Sequence, residues 1–106
     1  MSDLNKVFEA LKDDAAVLAK TIFKGFEKEI VSDWSVFASS IKDDLETWTK
    51  QLVLEELSQK EFESLVRGER DLAEMKALKQ KGLAKAKIDQ FVNGMIDQTI
   101  NRILKI

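Results

Sequence analysis

The stretch Val31-Ser32-Asp33-Trp34-Ser35 sits midway along a regular run of apolar residues, and its reading decides the architecture. Serine is a favoured helix N-cap and aspartate suits a first turn, so a new helix can begin at Ser32, with Val31 and Val36 as a hydrophobic staple. Alternatively, a longer helix passes straight through.

Outward from this stretch, Leu4, Phe8, Leu11, Ala15, Ala19, Ile22, Phe26, Ile30, Trp34, Phe37, Ile41, Leu45, Trp48 and Leu52 follow at intervals of three or four. That spacing matches the roughly 3.6 residues of an α-helical turn. From Phe26 onward the steps repeat as 4-4-3, an eleven-residue period that favours straight packing over the left-handed supercoil of heptads. A competing signal is a partial repeat: "SDL" at Ser2–Leu4 returns as "SDW" at Ser32–Trp34, and "LKDD" at Leu11–Asp14 as "IKDD" at Ile41–Asp44. A reversal at residues 31–32 would lack a glycine for a left-handed turn and would have to keep the stripe in phase. The balance favours one helix over about residues 2–57.

The second half opens on a clearer boundary. Ser58 followed by Glu61 forms a capping box ahead of Phe62, Leu65 and Val66. Beyond it the stripe shifts. Phe62, Leu65, Val66, Leu72 and Ala73 share one side, and Ala84, Ile88, Val92, Met95, Ile96, Ile100 and Ile103 share another. Gly82, and behind it Gly68, are the positions where the helix should break. Helices over about residues 59–81 and 83–105 follow. The predicted fold is all-α and forms one domain over residues 1–106. A long N-terminal helix pairs with a C-terminal segment folded back as an antiparallel hairpin, bundle-like or coiled-coil-like. The alternative is a monomeric four-helix bundle broken near Ser32, Ser58 and Gly82.

Composition narrows the chemistry. The chain has no histidine, cysteine, tyrosine or proline. Thiolate and imidazole chemistry are absent, and no phosphate loop or nucleophile elbow appears. The pairs Asp13-Asp14 and Asp43-Asp44 cannot chelate from one helix, because neighbouring side chains diverge by about 100°. They read as solvated acidic faces. No catalytic, cofactor-binding or metal-ligating residue is assigned, and no cofactor or enzymatic activity is expected. The first residues carry charges where a signal peptide needs an apolar core, and the longest apolar run is Ala15–Ala19. A soluble cytoplasmic protein is expected.

Charge is unevenly divided. Residues 1–57 hold seven lysines against twelve acids, a balance of −5, and residues 58–106 hold ten bases against seven acids, a balance of +3. Packed side by side, the halves would attract. Lys76, Lys79 and Lys87 would share one side of a continuous helix and form a possible basic patch for nucleic acid or a membrane surface. The cluster lacks arginine and aromatic stacking partners, so neither partner is favoured.

A rod over residues 2–57 would be about 80 Å long, whereas a chain of this size packs to a radius of gyration near 13 Å. Its seam would outrun what the chain can cover. The expected function is therefore structural or adaptor-like, acting through self-association, most simply a dimer, or through a helical protein partner. Phe26, Trp34, Phe37, Ile41 and Trp48 are the expected anchors.

Overall fold

In the computed structural model, which describes residues 2–23, 25–73 and 75–105, the stretch Val31–Ser35 is helical throughout. Among the described residues the chain forms α1 (Ser2–Ile22), α2 (Glu27–Val53), α3 (Gln59–Gly68), a 3-10 segment (Glu69–Leu72), α4 (Lys76–Gln80) and α5 (Lys85–Leu104), with no strand. The fold is all-α and bundle-like, as expected. The continuous helix over residues 2–57 is not found. The chain turns at Gly25, between α1 and α2 and seven residues before Ser32, where a φ of +87° strains any side-chain-bearing residue.

The turn escaped the periodicity because it keeps the phase. Phe23, buried at the end of the first arm, and Ile30, buried in α2, are seven residues apart, two helical turns. In α1 the buried residues are Leu4, Val7, Leu11, Ala15 and Ala19, and in α2 they are Ile30, Trp34, Phe37, Ile41 and Leu45. Phe8, Ile22, Phe26, Trp48 and Leu52 flank that seam, half-buried.

Contacts along the helices fix their directions. Leu18 abuts Gly94, where a β-carbon would come within 2.7 Å of the leucine Cδ2. The rings of Phe23 and Phe91 lie 6.2 Å apart, and Asp14 accepts two hydrogen bonds from Arg102, at 2.5 and 2.9 Å. Hence α1 runs antiparallel to α5. Arg67 pairs with Asp97 at 2.7 Å, Ser58 and Glu61 share a cleft with Ile103, and Arg70 shares one with Lys85 and Asp89, so α3 runs antiparallel to α5 as well. With α1 and α2 joined by a tight turn, the order is up, down, up, down, and the third arm is α3, the 3-10 segment and α4 in series. This resembles the four-helix alternative, with its first break at Gly25 rather than Ser32. The 27 residues of α2 span about 40 Å, and the molecule measures 43 × 23 × 20 Å.

Ser58 and Glu61 close the N-terminus of α3 reciprocally, at 3.0 and 3.1 Å, as read from sequence. The expected helix over residues 59–81 is corrected. It tightens to 3-10 after Gly68, ends by Ala73, and restarts at Lys76. Met75, at φ +49°, enters a left-handed conformation that is unfavourable for a residue with a β-carbon, while its side chain is buried. Gly82, at φ +74°, then separates α4 from α5. The restart of α4 depends on Asp33. Its carboxylate accepts from Ala77 N–H at 3.0 Å and Leu78 N–H at 2.9 Å, acting as an N-cap supplied from a different helix. The SDW repeat therefore marks no new helix at Ser32. It places an acid where another helix begins.

Asp33→Ala should lower unfolding stability by about 1–2 kcal/mol, read from the urea midpoint at constant m-value. The amides of Ala77 and Leu78 should lose hydrogen-exchange protection before the rest of the bundle. Unchanged protection at these two amides would rule out the clasp.

Candidate functional site

The five expected anchors belong to the chain's own interior. Trp34, Phe37 and Ile41 are 1%, 3% and 0% exposed, and Phe26 and Trp48 pack half-buried against the same core. The Trp34 and Phe37 rings meet edge-on at 5.5 Å. Turning at Gly25 halves the rod, so α1 covers a seam that would otherwise need a second molecule. The premise for obligate self-association is removed.

The lysine cluster also changes. Lys76 and Lys79 lie on α4, and Lys87 lies in the first turn of α5 beyond the Gly82 turn. The single helical face that grouped them does not exist. All three are exposed, and the neighbouring Lys81 faces Glu29 at 3.7 Å.

The acid pairs are not simply solvated. Asp14 is held by Arg102, and Asp44 lies close enough to Glu69 to raise the pKa of its carboxyl. Burial first, then the hydrogen bond to Asp44 and its charge, push the Glu69 carboxyl up to about 7. Its Oε2 is buried without a hydrogen-bond partner among the described residues. A carboxyl with a raised pKa is a common sign of catalysis. Here, however, among the described residues, no group of three or more acids gathers to hold a metal ion.

Apolar exposure gathers in two regions, the smaller being a cleft of about 240 Å³ lined by Val36, Leu72 and Met75. Large apolar side chains left in solvent are Val17, Val36, Val53, Leu54, Leu65 and Leu72. Three of the six, Val53, Leu54 and Leu65, surround the turn between α2 and α3. A cleft of about 710 Å³ opens there, with Leu52, Val53 and Leu57 on one side and Ile103 and Leu104 of α5 on the other. Glu55, Glu56 and Glu61 complete its wall. A shallower groove, lined by Leu57, Ser58, Lys60 and Leu65, continues from it along α3. Thr49, also in the wall, holds a buried hydroxyl without a hydrogen-bond partner among the described residues. A second cleft of about 420 Å³, beside the 3-10 segment, is lined by Arg70, Asp71, Lys85 and Asp89, so its charges balance.

The backbone around the first cleft is tightly specified. The Glu55 N–H donates to the Leu52 carbonyl at 3.1 Å and the Glu56 N–H to that of Gln51 at 2.8 Å. This is a Schellman closure of α2 with Glu55, at φ +61°, in the left-handed position. Sequence reading passed over this region. The available signal was the run Leu52-Val53-Leu54 followed by Leu57, since three consecutive apolar residues cannot all face one helical stripe.

Two consequences are measurable. Trp34→Ala should cost about 3–5 kcal/mol of stability while the molar mass by light scattering stays unchanged; a drop in mass would instead return Trp34 to an interface. Glu69 releases its proton near pH 4.5 when unfolded and near 7 when folded. Below 4.5 both states hold the proton. Between 4.5 and 7 only the unfolded chain loses it, so stability falls across that window. Glu69→Gln should abolish that fall and be more stable at pH 7.5 by an amount on the order of 1–3 kcal/mol. A parallel pH profile for both proteins would count against the shift.

Comparison of the chain with models of protein families, with curated proteins and with solved structures finds no match.

Proposed function

We propose that this chain is a non-enzymatic helical adaptor that receives a helix of another protein in the cleft between the α2–α3 turn and the end of α5. The observation that carries the reading is the run of exposed apolar side chains at this end: Val53, 71% exposed, lines the cleft with Leu52, Leu57 and Ile103, Leu54, 57% exposed, follows it in the chain, and Leu65, 37% exposed, lines the adjoining groove. Single exposed apolar residues are ordinary, whereas contiguous ones rimmed by polar groups characterise interaction surfaces. A groove between helix ends suits the apolar stripe of an incoming helix, whose backbone is already satisfied internally and needs only side-chain contact. The inward location of Trp34, Phe37 and Ile41 supports a preformed module over one assembled by obligate dimerisation.

The test uses a neutral amphipathic peptide of leucine and glutamine, titrated into isotopically labelled protein. Amide shifts should concentrate at residues 49–61 and 103–104. Val53→Ser combined with Leu54→Ser should weaken binding about tenfold and leave folding almost unchanged, since both side chains are exposed. Shifts scattered over the surface, or binding indifferent to the double substitution, would exclude the cleft as the receiving site.

A further inference from the structure

We infer that the helix received by this cleft is basic, carrying lysine or arginine beside its apolar stripe; this rests on the adaptor reading above. Glu55, Glu56 and Glu61 stand in the cleft wall, and no basic residue does among the described lining residues, while Lys60 of the adjoining groove leaves the acids in excess. Charges of one sign around an apolar surface select a partner of the opposite sign and repel its like. The Ser58 backbone N–H and hydroxyl hold the Glu61 carboxyl below the usual carboxylate range, so the wall keeps this charge into mild acid.

A second copy of the chain is a poor occupant. Two-fold pairing through this face is self-complementary, so it would set Glu55, Glu56 and Glu61 against their own counterparts. Head-to-tail pairing would bring in the basic stretch over residues 76–87, but its leucines are already used: Leu78 is buried and Leu83 half-buried in the parent core. That stretch offers lysines without an apolar stripe. The partner is a different protein.

Glu55 is the most constrained of the three acids. It occupies the left-handed position of the Schellman closure, where glycine is the relaxed residue. A glutamate there sacrifices folding stability and sets a carboxylate in the cleft wall.

The experiment compares three peptides with one leucine stripe and polar faces of lysine, glutamine or glutamate, by fluorescence anisotropy at low and high salt. The lysine peptide should bind about tenfold more tightly than the glutamine peptide at low salt, and the glutamate peptide more weakly still, with the spread narrowing as salt screens the charges. Val53→Ser with Leu54→Ser should weaken all three, which separates cleft binding from general attraction to an acidic protein. Glu55→Gly should raise the melting temperature by about 4 °C while weakening the lysine peptide about threefold and leaving the glutamine peptide unchanged. Replacing Glu55, Glu56 and Glu61 with glutamine should erase the preference for lysine, and glutamine at position 61 keeps the capping box. Equal affinity for the three peptides would overturn the basic-partner inference and leave the cleft reading standing. Failure of every peptide to bind would overturn the adaptor reading itself, and the inference with it.

Discussion

The clasp of Asp33 on the start of α4 is the constraint around which the bundle is organised. Five residues are too few to hold a helix alone, because nucleation fixes several dihedrals for each early hydrogen bond. Met75 adds a left-handed backbone of its own. Against these costs stand two hydrogen bonds accepted by a mostly buried carboxylate and the burial of Met75 and Leu78. The geometry requires α2 to be helical at residue 33. It must place Asp33 towards the third arm while its neighbour Trp34 enters the core. A helix starting at Ser32 would have spent Asp33 on its own first turn.

What could be read from the sequence divides by range. The capping box of Ser58 and Glu61 spans three residues, and the Gly82 turn is a property of one, so both were legible. The apolar seam was legible as helix but not as connectivity, since Phe23 and Ile30 stay in phase across Gly25. The restart of the third arm at α4 was not legible, because it depends on an acid more than forty residues away. Nor could spacing tell a core from an interface. Trp34, Phe37 and Ile41 present the same pattern whether a second chain or α1 covers them.

The uneven charge has a structural counterpart. Asp14 with Arg102, and Glu29 with Lys81, each join an acid of the first half to a base of the second. Exposed pairs such as Arg67 with Asp97, half in solvent on both sides, contribute only about 0.2–1 kcal/mol. They bias which helix faces lie together and leave cohesion to the apolar core. Glu69 beside Asp44 runs against the pattern, with two acids meeting and the Glu69 carboxyl pushed up to about 7.

The two ends of the bundle are closed differently. At the cleft, α2 finishes in paired backbone bonds and α3 begins in a reciprocal cap. At the opposite end, α2 starts after Phe26 and α5 after Ala84 with no side-chain cap. The first turn of α5 carries Lys85 and Lys87 and no acid, where the helix dipole disfavours positive charge. Capping is therefore graded along the long axis: α2 and α5 start without a side-chain cap at the lysine-bearing pole, whereas the end of α2 and the start of α3 are closed at the leucine-lined pole, and a turn ordered before docking surrenders less conformational freedom on binding.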